Sequence, residues 1–192
     1  MSHSATLCLM AVDRERVLKE AAALLTRRAT TSMDEIARAA GISRATLHRH
    51  FAGRDALIRA LEEHGIAQFA RAMDVARLDE GDAAGALRRL IEAAEPVAAV
   101  LAFLFTENQL FEGDEVNAGW ARLDARITAL FRRGQAEGDF RIDLSAAWLT
   151  EALYGLMGAG AWAVHEGRVA RNDLNHSIAE LLLGGIRRSM EK

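Results

Sequence analysis

SMDEIARAAGISRATLHRHF, residues 32–51, is the stretch that decides the fold. Ser32 and Glu35 stand three apart just before an apolar run, the spacing of a capping box that opens a helix. Met33, Ile36, Ala37 and Ala40 then fall on one face. Gly41 ends that helix, as suits a residue that must turn left-handed. Ser43 caps a second short helix, with Leu47 and Phe51 turned inward. Ala37 is small where the two helices must cross, and Ile42 and Leu47 pin the second helix onto the first. Two short helices meeting across a tight turn is helix-turn-helix logic. The second helix offers Arg44, Ala45, Thr46, His48, Arg49 and His50 outward. It is basic, polar outside and about two turns long, dimensions that fit the major groove of B-DNA.

Working outward, the rest of the chain also reads as helix. Asp13 looks like an N-cap for a helix that carries Val17, Ala21, Leu24 and Leu25 on one face and ends near Arg28. Beyond Gly53, a long helix from about Arg54 to Leu78 presents Leu57, Ile58, Leu61, Phe69 and Met73. Ala83 to Ala94 is helical, and Pro96 suits the first turn of a helix with Val97, Val100, Leu101 and Leu104. Val116, Trp120, Leu123, Ile127, Leu130 and Phe131 recur at spacings of three and four. Leu144 to His165 is a very apolar helix, and Asn172 caps a last one carrying Leu174, Ile178, Leu181, Leu182 and Ile186. The expectation is an all-α protein of about nine helices.

Composition agrees. The 192 residues are 51% hydrophobic and contain a single proline and a single cysteine. Ala, Leu, Arg and Glu dominate, all strong helix formers. Cys8 has no internal disulfide partner, so a reducing cytoplasm is the natural compartment. The apolar start lacks a basic region and does not read as a signal peptide. Ser145 to Val164 has the length of a membrane span, but Glu151 lies inside it and Ala and Gly are frequent. A buried helix in a bundle, with no membrane role, is the expected reading. Net charge is −3 overall. Residues 1–54 carry nine Lys and Arg against five Asp and Glu, a basic head on a body of net −7. That asymmetry suits a head that meets an anion.

Arg16 to Leu61 resembles the DNA-binding domain of the TetR family. The matching stretches are RERVLKEAAALL, TTSMDEIARAAGISRATLHRHF and GRDALIRAL. The resemblance implies an N-terminal three-helix helix-turn-helix domain (residues 1–53) and a C-terminal helical bundle domain (54–192) that binds a ligand and dimerises. It implies a ligand-responsive regulator, more often a repressor, on a palindromic double-stranded DNA operator, with a small-molecule effector and no cofactor. By position, Ser43, Arg44, Ala45 and Thr46 would face bases. Arg44 is the expected guanine reader, worth ~1–3 kcal/mol of discrimination. Thr31, Ser32, His48, His50 and Arg54 would hold phosphates, with Arg49 on the same outward face. The chain departs from the family pattern in having Ala29-Thr30 in place of the usual glycine, His48 in place of tyrosine, and Arg54 in place of lysine. His50 has a second reading, as a structural bridge to the first helix.

In the body the resemblance implies a pocket, for which Phe69, Met73, Phe103, Trp120, Glu151 and Tyr154 are candidates, with Asn108 and Gln109 as further polar groups. Each apolar member also fits ordinary core. Gly155, Ala159 and Ala163 repeat every four residues; with Ile178 and Leu182 they suit a two-fold interface, and equally helix packing within one subunit. Two rival classes stand beside this reading. An enzyme lacks support, since no Ser/His/Asp set, phosphate loop or carboxylate pair stands out. No metal site is expected either, because His48 and His50 do not share a helix face. The other rival is a helical interaction module of the same fold that no longer binds specific DNA.

Overall fold

The computed structural model describes residues 3–98, 100, 103 and 114–187. Leu101, Leu104, Asn108 and Gln109 lie outside the described residues, as does the side chain of Val116. Eight α-helices are named among the described residues: α1 (His3–Arg27), α2 (Met33–Ala39), α3 (Arg44–His50), α4 (Arg54–Ala76), α5 (Ala83–Ala94), α6 (Asp114–Glu137), α7 (Ala146–His165) and α8 (Arg171–Ile186). A 3-10 turn, Glu95–Val97, holds Pro96. An antiparallel bridge joins Phe140 to Arg187.

Helix starts follow their caps. The side chains of Ser32, Ser43, Asp82 and Ser145 each accept a backbone N–H three residues on, those of Glu35, Thr46, Gly85 and Trp148. These bonds satisfy donors that the first helical turn leaves unpaired. Two expected starts differ. α1 begins ten residues ahead of Asp13, because Ala5 to Val12 contains no glycine or proline to stop a helix. α8 begins at Arg171 with Ala170 as its cap residue, so Asn172 already lies within the first turn.

The C-terminus of α4 shows how the turns are held. Arg89 of α5 donates to the carbonyls of Ala76, Arg77 and Glu80. Arg133 of α6 donates to those of Leu78 and Gly81, at 2.8 and 2.6 Å. Two arginines from neighbouring helices thus satisfy carbonyls that the helix end leaves open, where positive charge also suits the helix dipole.

The head is α1 to α3. Val17, Leu18 and Leu25 of α1 pack with Ile36, Ala37, Leu47 and Phe51. The start of α4 closes this group through Leu57 and Leu61, and its other end packs on α5 and α6. Buried side chains therefore form one continuous cluster from Val17 to Ile186. α4 is the shared member, a rigid rod about 34 Å long at 1.5 Å per residue. Among the described residues no helix is long and apolar enough to cross a membrane, and α7 packs against α6 and α8.

Candidate nucleic-acid interface

The geometry of the head begins at Gly41. Its φ is +65°, the left-handed region that a residue with a Cβ enters at a cost. The N–H of Gly41 donates to the Arg38 carbonyl at 3.1 Å and that of Ile42 to Ala37 at 3.0 Å, closing α2 and turning the chain into Ser43. The Ser43 hydroxyl then accepts the Thr46 N–H at 3.0 Å. Leu47 is fully buried, and Phe51 is buried one turn later. With that face held down, Ser43, Arg44, Ala45, His48 and Arg49 are exposed, and Thr46 and His50 are half-buried. α3 is thus anchored by its apolar side and displays its polar, basic side.

Arg44 does not wave freely. Its Nε and Nη1 lie 3.2 and 3.3 Å from the two carboxylate oxygens of Asp34 on α2. This side-by-side pair is exposed, so it holds the arginine loosely and directs it across the face. Among the described residues, no hydrogen bond joins His50 to α1. The link from α1 to this end of α3 is made by Arg14, whose guanidinium carbon sits 5.5 Å from the centre of the Phe51 ring.

Three residues expected at phosphates have partners within the protein. Thr31 is 2% exposed, and its hydroxyl and N–H both donate to the Arg28 carbonyl, at 2.7 and 2.9 Å. It closes the end of α1 and offers neither donor to a ligand. Arg54 donates to the carbonyls of Thr31 (2.9 Å) and Ala29. It clamps the α1–α2 loop to the start of α4, a connection that a shorter ammonium would make less completely. Ser32 is exposed, but its N–H and hydroxyl both donate to the Glu35 carboxylate at 2.8 Å. The Ser32 backbone, the Ser32 hydroxyl and then Arg28 hold Glu35 down to a pKa of about 2.

In the body, Phe69, Met73, Phe103 and Tyr154 are buried, as the pocket expectation and the core expectation both require. The Phe69 and Tyr154 rings are 5.8 Å apart. The Tyr154 hydroxyl donates to Asp124 at 2.9 Å; burial, then the Asp124 charge, raises its pKa. Trp120 is half-buried, and its indole N–H donates to Glu62 at 3.0 Å. Glu62 is 1% exposed and was not anticipated. The signal was present: Ile58, Glu62, Ile66, Phe69 and Met73 share one stripe of α4 at helical spacing. Glu151 is a correction. It is exposed, on the stripe of α7 that carries Trp148, Gly155, Ala159 and Trp162, about a third of a turn or more away from the buried Leu149, Leu153 and Met157.

A separate cleft of about 360 Å³ opens where α1, α4, the 3-10 turn, α7 and α8 meet. Glu15, Lys19, His64, Gln68, Glu95 and Arg171 give it its polar character, and none of the expected pocket residues lines it. Gln68 and His64 are hydrogen-bonded at 2.8 Å, and Arg171 pairs with Glu95 at 2.7 Å. Burial lowers the His64 pKa, favouring the neutral ring. No group of three potential metal ligands gathers among the described residues.

The small residues of α7 divide between two faces. Gly160 faces α8: a Cβ there would come within 2.4 Å of the Leu174 side chain. Gly155 and Ala159 are exposed, with Ala163 partly so, and nothing lies within 4 Å of a Cβ built on Gly155. Ile178 and Leu182 correct the interface expectation. Both are buried within the subunit, on the α8 face shared with Leu174, Leu183 and Ile186. The outward apolar groups are Trp148 (61% exposed), Trp162 (39%) and Leu181 (65%), beside Gly184 and Gly185.

Comparison with known proteins accords with this geometry. The family model described as "Bacterial regulatory proteins, tetR family" matches residues 17–61, the span from α1 through α3 to the buried start of α4. The regulator NfxB of Pseudomonas aeruginosa is 32% identical over 173 residues, covering 89% of this chain and 92% of NfxB. The repressor LfrR of Mycolicibacterium smegmatis is 28% identical over 173 residues, covering 90% of this chain and 89% of LfrR. The crystal structure of LfrR in complex with proflavine superposes with a TM-score of 0.71 at 26% identity, covering 92% of this chain and 98% of that one. The likeness to both relatives runs nearly end to end, through the body as well as the displayed helix of the head, and this chain belongs to the TetR family of DNA-binding transcriptional regulators, which act by binding rather than by catalysis.

Proposed function

We propose that this protein is an effector-responsive transcriptional repressor that binds a roughly palindromic operator as a homodimer. The observation that carries the reading is α3, anchored by Leu47 and Phe51 and exposing Ser43, Arg44, Ala45, His48 and Arg49. In this reading residues 1–53 are the DNA-reading head and residues 54–192 the effector and dimer body. Ser43 to Thr46 meet base edges; Arg49, His48 and the exposed edge of His50 meet phosphates. Two heads then occupy successive major grooves, one helical turn apart. The exposed Trp148, Trp162 and Leu181, with Gly155 and Ala159 between them, support a two-fold interface built from α7 and α8.

Repression follows the name of LfrR, a transcriptional repressor, and effector response follows its structure with proflavine. An effector acts only through different affinities for two spacings of the heads. α4, which packs on both α1 and the body, is the lever. The cytoplasm, where the chromosome lies, is the compartment this role requires. The test is fluorescence anisotropy with the DNA flanking the protein's own gene, across a salt series. Affinity should fall steeply with salt, with a log–log slope of roughly −0.9 for each phosphate neutralised. A flat response, or equal affinity for unrelated DNA, would favour the interaction-module reading.

A further inference from the structure

The cleft of about 360 Å³ is lined by the head through α1, by the body through the 3-10 turn, α7 and α8, and by the shared helix α4. Its volume falls within the range of small-molecule sites, about 300–1,000 Å³. Ala22, Ala98, Val100, Val164 and Leu174 give it an apolar wall. Its formal charges cancel. Glu95 pairs with Arg171 at 2.7 Å, and Glu15 and Lys19 stand one turn apart on α1. The remaining polar side chains are His64 and Gln68, half-buried and one turn apart on α4. Their contact joins Nε2 of Gln68 to Nε2 of His64 at 2.8 Å. An amide nitrogen only donates, so the ring Nε2 accepts and the ring proton sits on Nδ1. Burial, the largest influence, favours this neutral ring; Glu15 opposes it, and Arg71 and Arg14 add to it. The Nδ1–H of His64 and the side-chain carbonyl of Gln68 then have no partner among the described residues. The cleft thus holds one open donor and one open acceptor on adjacent turns of α4, against an apolar wall.

We propose that this cleft is a binding site for an uncharged molecule with a small apolar body and an amide-type group, one N–H and one C=O. The Gln68 carbonyl accepts the ligand N–H, and the His64 ring N–H donates to the ligand carbonyl. An ion gains no net attraction from a lining whose charges cancel, and it loses water on entering, so a neutral ligand is preferred. The inference goes beyond the effector reading and does not depend on it. None of the residues expected to form a pocket in the body lines this cleft. An occupant touches α1 and the body at once and braces the head against the body.

The experiment titrates the full-length protein, without DNA, with N-phenylacetamide, and reads binding by ligand-observed NMR. The wild type should bind it saturably, in the millimolar range or tighter for a molecule of this size. Benzoate and benzylammonium, similar in bulk but charged, should not displace it at equal concentration. Gln68→Leu removes the acceptor and should weaken binding about three- to tenfold, as for one lost hydrogen bond. Ala161→Phe fills the cleft from α7 and should abolish binding. Circular dichroism checks that both variants are folded, and Gln68→Leu decides the matter if Ala161→Phe is not. A wild type that fails to bind the amide up to its solubility, or that gives it up to either ion, overturns the proposal. So does a folded Ala161→Phe variant that binds as the wild type does, or a Gln68→Leu variant of unchanged affinity.

Discussion

The molecule has two exposed faces built on opposite chemistry. The face of α3 is polar and basic, with Arg44, His48 and Arg49 outward and Leu47 and Phe51 holding the helix down. The outer face of α7 and α8 is apolar, with Trp148, Trp162 and Leu181 in water among Gly155, Ala159 and Gly184. A polar helix face is stable in water and waits for an anionic groove without cost. An apolar face of two indoles and a leucine is not; it gains by meeting a like surface. In the proposed function the first face is empty part of the time and the second is covered all of the time, so that DNA binding is reversible while the proposed pairing persists.

The sharpest way to break that contrast is to charge the apolar face. Trp162→Arg should separate the subunits, as read by sedimentation, with helix content unchanged. Losing the linked second head should weaken operator binding by about 10²–10⁴-fold. A charged variant that stays dimeric would mean the pairing uses another surface. The next largest effect lies at the anchor of the other face. Leu47→Ala removes a fully buried side chain between α1, α2 and α3 and should cost about 2–5 kcal/mol. The loss should appear as a lower-melting head in a thermal unfolding curve, with dimerisation intact. An unchanged melt would mean the head draws little stability from Leu47.

In the head, Arg44 of the displayed face and Arg54 of α4 should part company. Arg44→Ala should remove about 1–3 kcal/mol of base discrimination and leave non-specific DNA binding nearly as it was. Asp34→Asn, which frees Arg44 from its carboxylate, should tighten binding to all sequences modestly, because one negative charge leaves the face. Arg54→Ala should behave differently from either. Its guanidinium holds the Ala29 and Thr31 carbonyls, so the melting temperature of the head should fall along with affinity. An Arg54→Ala protein of unchanged stability that binds DNA weakly would restore the phosphate role expected from sequence. Competition binding with operator and scrambled duplexes, paired with thermal melts, reads all three.

The two faces also differed in how far they could be read before the structure. The head was legible because its signals are local: a capping box at Ser32, a left-handed Gly41, a cap at Ser43 and Leu47 at the right spacing. The body was legible only as helices. α7 is apolar nearly all round, so its sequence sets no phase, and Glu151 was placed inward when its charge in fact marks the outward stripe. α8 carries Leu181, Leu182 and Leu183 in a row, and no local rule says which of them turns out. The structure turns out Leu181 and buries the other two, with Ile178. The partners of Thr31 and Arg54 within the protein were not legible for another reason. Their roles come from carbonyls left open at the end of α1, and such needs appear only once the helices are positioned.

The smallest predicted effect sharpens the comparison most finely, because it asks whether the displayed face depends on the cap of α2, the helix packed against it. Ser32→Ala removes the acceptor for the Glu35 N–H and should cost about 0.5–2 kcal/mol of head stability. Glu35 is the titrating half of this box. Its carboxylate is held down to a pKa of about 2 by the Ser32 backbone N–H and hydroxyl and by Arg28, against 4.5 for the free group. A depressed folded-state pKa means that the stabilisation is fully present above about pH 4.5 and is lost as pH falls toward 2. The difference in melting temperature between wild type and Glu35→Gln should therefore be constant from pH 7 to 5 and shrink between pH 4.5 and 2. A difference that persists undiminished at pH 2 would place the contribution of Glu35 in packing rather than charge. The helix carrying Asp34, the partner of Arg44, would then be set by its buried side alone.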